Sequence, residues 1–240
     1  MKKELLAEMF QDMAKCDLCL NTKNKCGKDC SLINIYKDDF YKEIPSIWTD
    51  WFNRVDSKTM VIGQDWGPYV EMKKFRDMYK VDETNSNWER IIDEEKSLTK
   101  KMLTKYLVDS GKYFGLDIDD NIIKKIYITN AIMCARSGNN YRSDNIKLKE
   151  CSLNCSKYLK RQIDIIKPKV ILTLGFYPLL SLSKIYGFKI DKTLSENINN
   201  YGSFTVQDMI IIPLYHPAAQ ISKDKQMTQY DKIWKYYKEV

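Results

Sequence analysis

The sequence predicts an α/β fold of three layers, in which a mostly parallel, four-stranded central sheet lies between two layers of helices. Four short apolar segments rich in β-branched residues alternate with longer segments of helical periodicity. Strands separated by helices pair in parallel and place the helices on both faces of the sheet. The 240 residues are 44% hydrophobic and 30% charged, which is typical of a globular chain with one sizeable core. We therefore expect a single domain over residues 1–240.

The predicted elements follow from the apolar pattern in chain order. An amphipathic helix, "MKKELLAEMFQDMAK", comes first, and a cysteine-rich segment occupies residues 16–30. The first strand ends at residue 62, before a turn that contains glycine and proline. Helical spacing covers residues 86–110, with Gly111 as the expected stop, and residues 146–167, with Pro168 after them. The other strands are expected at residues 126–133, 169–175 and 209–216, with a short helix at 178–186 and a last helix near the C-terminus.

Polar residues follow the strands at their carboxyl ends, where ligands bind in sheets of this kind. Gln64 and Asp65 follow the first strand, Asn130 lies in the second and His216 ends the fourth. We expect these side chains to converge on one crevice. Taken singly, Asp65 could also cap a helix and Asn130 could hold a loop. His216 is the only histidine, and its place after a buried strand favours a site over a structural role.

The overall composition excludes several classes of protein. A formal charge of +7 suits a polyanionic partner. The sequence has no apolar run of membrane-spanning length, and its first helix carries acidic residues, unlike a signal peptide. We therefore expect a cytoplasmic protein without a membrane partner. We also expect a monomer. It contains no glycine-rich phosphate loop, which argues against a nucleotide transferase. Seven cysteines without a secretory signal indicate metal ligands or buried thiols.

Four motifs in order resemble those of the uracil-DNA glycosylase superfamily. "VIGQDWG" resembles its first motif, in which a strand leads into a turn that positions a water, and "LYHPAAQIS" resembles its second. "ITNAIMC" and "CSKYLKRQIDIIKPKVILTLG" are similar to the iron–sulfur branch, family 4. The resemblance runs from about residue 16 to the C-terminus and is specific because four motifs agree. It implies an enzyme that flips a pyrimidine out of DNA and hydrolyses its N-glycosidic bond, leaving an abasic site.

The chemistry of base release agrees with the roles that the resemblance implies. Cleavage builds positive charge on the sugar and negative charge on the departing base, so the site needs an anion and a donor held apart. Asp65 would support the sugar and position a water, while His216 would donate to the base. Asn130 carries both a donor and an acceptor and can read the edge of a pyrimidine. Gln64 would help to hold the base.

The resemblance also implies residues that contact the DNA. After His216 the family places a wedge that fills the space left by the flipped base, and by offset this is Gln220 or Ile221. Lys223, and Arg136 in the polar loop after the second strand, suit phosphates. A non-catalytic DNA-binding or damage-sensing protein of the same fold is the alternative function.

The first motif departs from family 4, which usually lacks a carboxylate at the position of Asp65. The Gly-Gln-Asp start instead resembles the uracil-specific family 1, in which a tyrosine two residues after the aspartate blocks substituents at pyrimidine C5. Gly67 stands there in this chain, with Trp66 in place of the usual proline. An open wall at Gly67 would admit thymine, 5-substituted pyrimidines or modified phage cytosine, so both DNA repair and antiphage defence stay open.

A flipped base needs an aromatic partner, because it loses the stacking of the duplex. Phe75 is the predicted partner, and Tyr69 and Tyr79 are nearly as suitable.

The resemblance to family 4 implies a [4Fe–4S] cluster. Its ligands would be Cys16 and Cys19, Cys134 after the "TN" segment, and Cys155. Cys151 lies one helical turn before Cys155 and could replace it. A zinc ion is the alternative, since four cysteines close in sequence could bind it unaided: Cys16, Cys19, Cys26 and Cys30.

Overall fold

The computed structural model describes residues 1–20, 32–44, 46–79, 97–137 and 148–237. The strands are β1 (Leu32–Ile33), β2 (Thr59–Gly63), β3 (Tyr127–Asn130), β4 (Ala135–Arg136), β5 (Val170–Leu174), β6 (Phe204–Val206) and β7 (Met209–Leu214). The helices are α1 (Lys2–Ala14), α2 (Tyr69–Tyr79), α3 (Leu98–Tyr113), α4 (Leu148–Ile166), α5 (Phe176–Tyr186), α6 (Leu194–Asn200) and α7 (Lys223–Tyr237), with 3₁₀ helices at Lys37–Glu43 and Asp120–Lys125.

The central sheet has the order β3-β2-β5-β7-β6, and its first four strands are parallel. This confirms the predicted α/β class and its four parallel strands. The sheet is nevertheless five-stranded, because β6 pairs antiparallel with the outer edge of β7. Phe204 and Val206 of β6 are buried and Thr205 between them is exposed. An alternation over three residues is too short to stand out in the sequence.

Helices cover both faces of the sheet because the strand side chains alternate between two cores. On one face, Ile62 and Ile171 pack with buried residues of α1, α4 and α5. On the other face, Val61 and Leu172 pack with buried residues of α3 and α7. Every residue of β2 and β5 is buried, as expected for strands covered on both faces.

The long helix ends two residues beyond Gly111, the glycine near which its stop is predicted. Ser97 caps the start of α3 by accepting a hydrogen bond from the Lys100 N–H at 3.3 Å, and the helix continues through Gly111 to Tyr113. A Cβ at Gly111 would lie 3.3 Å from the ring of Trp234 in α7. The glycine therefore permits close packing of α3 on α7. The predicted part of this helix at residues 86–96 lies outside the described residues.

A small second sheet joins the N-terminal segment to the segment after β3. β1 pairs antiparallel with β4, with Leu32 opposite Arg136. The side chain of Asn34 donates to the carbonyls of Met13 at 2.7 Å and Cys16 at 3.0 Å, so it holds the end of α1 beside β1. Cys26 and Cys30 lie outside the described residues. Among the helices of the described segments, none is long and apolar enough to cross a membrane.

Candidate active site

The order of the parallel strands places the predicted polar residues along one edge of the sheet. Asn130 ends β3 and lies opposite Gly63, the last residue of β2, after which Gln64 and Asp65 follow. His216 follows β7, and the end of β5 lies between β2 and β7. These strand ends form the candidate site.

The Asp65 carboxylate is held by donors on both oxygens. Its side chain is only 3% exposed. Oδ1 accepts a hydrogen bond from the Gly67 N–H at 2.6 Å, and Oδ2 accepts one from Gln64 Nε2 at 2.9 Å. The guanidinium of Arg136 forms an ion pair with Oδ1, with Nε at 3.1 Å. Asp65 therefore closes its own turn, and α2 begins only at Tyr69, so it does not act as the cap of that helix.

The His216 imidazole is held in one orientation by its own loop. Nδ1 accepts a hydrogen bond from the Ala218 N–H at 3.2 Å, and Gln226 of α7 donates to the His216 carbonyl at 3.0 Å. The His216 residue is exposed at the sheet edge, but desolvation of its ring by the surrounding protein lowers its pKa, and the charge of Asp65 opposes this effect. The ring is therefore neutral near pH 7. Because Nδ1 acts as an acceptor, we assign the proton to Nε2.

Asn130 is 2% exposed and lies against the backbone of Gly63. A Cβ at Gly63 would clash with Asn130 Oδ1 and would lie 3.0 Å from the ring of Trp48. Only glycine lets the amide and the indole approach the end of β2 so closely. Sequence reasoning did not single out Trp48, although the aromatic segment "IPSIWTDWF" contains it.

Comparison with known proteins agrees with the arrangement of this site. The family model described as "Uracil DNA glycosylase superfamily" matches residues 49–238, which include Asp65, Asn130 and His216. The chain belongs to this superfamily.

Individual relatives point to one branch of the superfamily. The chain is 31% identical over 122 residues to the type-4 uracil-DNA glycosylase of Sulfurisphaera tokodaii, and the match covers 50% of each chain. It is 31% identical over 128 residues to the type-4 enzyme of Saccharolobus solfataricus, again over 50% of each. A type-5 uracil-DNA glycosylase of Pyrobaculum aerophilum is 27% identical over 79 residues, or 32% of each chain. The chain thus matches the family 4 branch, and it spans about half the length of these type-4 relatives.

The aromatic residues expected to stack on a base lie on α2 of this superfamily member. Phe75 is half-buried and packs against the core beneath α2. The Tyr69 ring lies 4.9 Å from that of Phe40, so it takes part in core packing. The side chain of Tyr79 lies outside the described residues. The stacking role of Phe75 stays a prediction.

The expected DNA-contacting residues lie in two places. Gln220 is exposed and Ile221 is half-buried in the loop after His216, and Lys223 begins α7 with its Nζ 3.5 Å from Asp109. Arg136 lies apart from this loop. Its side chain is 12% exposed and forms an ion pair with Asp65 inside the candidate site. The sequence suggested a phosphate contact for Arg136 and did not indicate this ion pair.

Two of the cysteines expected to bind a metal, Cys19 and Cys134, lie close together before β4, with the alternative ligand Cys151. Cys19, Cys134 and Cys151 share a small core with Leu148. Asn154 Nδ2 lies 3.4 Å from the Cys19 sulfur and donates to it. A hydrogen bond from Cys151 is the main cause that lowers the pKa of Cys19 to about 6, with that of Asn154 adding to it.

The protonation of the other thiols is governed by burial and by their neighbours. Burial raises the pKa of Cys134 and that of Cys155, to about 12 in the latter, and the charges of neighbouring cysteines raise both further. Thiolates that disfavour one another's charge are stabilised by a cation among them. None of the five described cysteines forms a disulfide, and Cys16 is half-buried. Within the described part of the chain, no group of three or more metal-binding side chains lies close enough to hold a single metal ion.

Proposed function

We propose that this chain is a monofunctional DNA glycosylase, which flips a pyrimidine out of DNA and hydrolyses its N-glycosidic bond. One observation carries the proposal: the held carboxylate of Asp65 and the neutral imidazole of His216 lie at the ends of β2 and β7, with the end of β5 between them. A nucleotide bound at this edge would lie between an anion and a donor. We expect a cytoplasmic monomer whose single domain covers residues 1–240 and whose partner is DNA.

Asp65 would act on the sugar side of the breaking bond. A carboxylate oxygen has two lone pairs, and Oδ1 already faces the Gly67 N–H and the Arg136 guanidinium. Oδ2 receives one bond, from Gln64, and keeps one lone pair. That lone pair would hold the attacking water, while the negative charge would stabilise the cationic sugar that forms as the base departs.

His216 would act on the base side of the breaking bond. The Nε2–H of a neutral imidazole would donate to the pyrimidine oxygen on which negative charge develops. The Ala218 N–H on Nδ1 fixes the ring for this role before the substrate binds. Because the ring is oriented in advance, little reorganisation is needed in the transition state.

Uracil is the first substrate to expect, because the type-4 relatives carry that name. Asn130, against Gly63, would read the edge of the base with its amide. Among the described residues, Arg136 alone would lie within 4 Å of a Cβ at Gly67, at 3.8 Å, so the described backbone leaves space there. This space supports the proposal that a pyrimidine with a substituent at C5, including modified phage cytosine, could also enter.

We further propose that Cys16, Cys19, Cys134 and Cys155 hold a [4Fe–4S] cluster, for which thiolates are the usual ligands. The cluster would serve as a cross-link between the N-terminal segment and the segment after β3. The bond cleavage described above uses only side chains of the sheet edge.

Base release from a panel of oligonucleotides tests the proposed function. The panel carries uracil, thymine opposite guanine, and 5-substituted cytosines, and alkali then cleaves the strand at any abasic site. We expect cleavage at uracil at least. Cleavage at a bulky 5-substituted cytosine would support a role in defence against modified DNA. If no oligonucleotide is cleaved and DNA still binds, the protein is the non-catalytic DNA-binding alternative.

A further inference from the structure

The main chain of Arg136 lies directly on the turn that contains Asp65. Its N–H donates to the Gly67 carbonyl at 2.9 Å, and Arg136 also bridges to Pro68. On its other side, β4 pairs with β1 through Leu32. The residue is therefore held at both edges of its strand, independently of its side chain.

The side chain of Arg136 extends over the same turn. Nε lies 3.1 Å from Asp65 Oδ1, and the two side chains are 12% and 3% exposed. The end of the guanidinium passes near Gly67, where an added Cβ would be 3.8 Å from it. An ionised carboxylate that is so buried is costly unless an opposite charge or several donors compensate it. Arg136 supplies the opposite charge.

We propose that Arg136 is a positioning residue for Asp65, an inference that rests on the proposed function. The Gly67 N–H donates a hydrogen bond to Oδ1 and the positive charge of the guanidinium lies beside the same oxygen, so a rotation of the carboxylate would weaken both contacts. Oδ2 then keeps its remaining lone pair at the place where the water and the sugar would lie. Without Arg136, the carboxylate would keep only the neutral donors of Gly67 and Gln64, so its orientation would be held less firmly and it would hold the water less well.

A phosphate contact by Arg136 makes a different prediction. A residue that binds a DNA phosphate contributes to affinity and to its dependence on salt, by about one unit of the salt slope. A positioning residue changes the rate at saturating DNA and leaves both the affinity and the salt slope as they were. The low exposure of Arg136 favours the positioning role.

The experiment measures single-turnover base release over a range of protein concentrations, which yields a limiting rate and an apparent dissociation constant. We expect Arg136→Gln to lower the limiting rate roughly 10- to 100-fold with an unchanged dissociation constant and salt slope. Arg136→Lys keeps the charge but lacks the planar fork, so it should recover part of the rate. Arg161→Gln is the matched control, since Arg161 pairs with Asp12 on the surface of α4. It should keep the wild-type rate.

A double-mutant cycle shows whether Arg136 acts through Asp65. In the background of Asp65→Asn, adding Arg136→Gln should change the rate by no more than about twofold. Additive losses would overturn the proposal, as would a weaker dissociation constant with an unchanged limiting rate. Melting temperature and iron content are measured on each variant, and a rate loss that follows either of them would also overturn it. An inactive wild-type protein would contradict the proposed function itself, whereas an active wild type with an active Arg136→Gln variant would contradict this inference alone.

Discussion

The orientation of the His216 ring depends on its protonation state. Nδ1 accepts the Ala218 N–H, and a proton added at Nδ1 would replace this bond by two opposed donors. Desolvation of the ring lowers the pKa of His216 below the ordinary imidazole value of about 6.5, and Asp65 only partly opposes the shift. The neutral, oriented ring is therefore the form present from neutral pH upwards.

The rate of base release should follow this titration. We expect a constant single-turnover rate above about pH 6.5 and a decline as the pH falls through the lowered pKa of His216. His216→Gln should lower the rate roughly 100-fold and should remove this part of the pH profile. A decline of the same shape in His216→Gln would assign the titration to another group.

The free energy of unfolding should also increase with pH over this range. The unfolded chain binds the imidazole proton more tightly than the folded chain, because the folded pKa is the lower one. The free energy of unfolding should therefore increase with pH between the lowered pKa and about 6.5, and His216→Gln should reduce that slope. Denaturant unfolding at several pH values measures it.

Gly67 combines a backbone conformation that favours glycine with open space. Its φ is +75°, a conformation that side chains rarely adopt. Gly115 has a similar φ of +71°, and no atom of the described segments lies within 4 Å of an added Cβ there. It lies in the turn after α3 rather than beside Asp65. The two glycines thus form a matched pair, one within the candidate site and one remote from it.

Substituting each of the two glycines distinguishes an effect of backbone strain on stability from an effect on the choice of substrate. Gly67→Tyr and Gly115→Tyr should each lower the free energy of unfolding by about 1–2 kcal/mol. Only Gly67→Tyr should narrow the pocket, and it should lower the rate on 5-substituted pyrimidines relative to uracil by roughly 10-fold or more. Equal rate ratios in both variants would show that position 67 does not border C5 of the base.

β3 and α4 are joined by a buried polar contact. The Tyr127 hydroxyl donates to Gln162 Oε1 at 3.0 Å, and Gln162 Nε2 donates to the sulfur of Met133 at 3.5 Å. Tyr127 and Gln162 are fully buried. Burial raises the pKa of Tyr127 well above its ordinary value, so the phenol stays a donor at any working pH. This contact fixes α4 against the strand that ends at Asn130.

Removing one partner of this hydrogen bond should lower the free energy of unfolding more than removing both partners. Tyr127→Phe leaves the buried oxygen of Gln162 without its donor and should lower the free energy of unfolding by about 1–3 kcal/mol. Adding Gln162→Leu removes that oxygen, so the double variant should recover part of the loss. Tyr113→Phe, at a tyrosine that is 79% exposed, should change stability by less than about 0.5 kcal/mol. Urea unfolding measures all three, and a double variant less stable than Tyr127→Phe would contradict this account.

At the scale of the whole molecule, the cysteine thiols lie in segments that are distant from one another in the chain. Cys19 follows α1, Cys134 precedes β4, and Cys151 and Cys155 lie in α4. A cross-link among them would hold the N-terminal segment and β4 together, and β4 carries Arg136 to the turn of Asp65. A metal cluster here would therefore support the geometry of the site from outside it.

Metal analysis tests this cross-link directly. Protein purified without oxygen should be brown and should contain about four iron atoms per chain. Cys134→Ser and Cys155→Ser should lower the iron content and the melting temperature, whereas Cys151→Ser should keep both. Iron loss in Cys151→Ser alone would make Cys151 the fourth ligand in place of Cys155. Colourless protein containing zinc would contradict the cluster.

Much of the fold follows from local patterns that can be read in the sequence. The segments at β2, β5 and β7 are apolar and β-branched, and each lies where the pattern predicts it. β3 is shorter than expected and ends at Asn130, although the N–H groups of Ala131 and Ile132 still donate to the carbonyls of Gly63 and Gln64 beside it. Gly111 illustrates the limit of such patterns, since a glycine required for packing against Trp234 has the same local signature as a helix stop.

The sequence by itself determined the α/β class, the four parallel strands and the polar residues at their ends, because the periodicity of each segment and the alternation of strands with helices depend on neighbours along the chain. Only the tertiary structure decided the partners of those residues. The ion pair of Arg136 with Asp65 and the contact of Trp48 with Gly63 join segments that are remote in sequence. Side chains brought together by folding leave no periodic signal in the chain, and the physical roles of Arg136 and Trp48 could therefore be seen only in three dimensions.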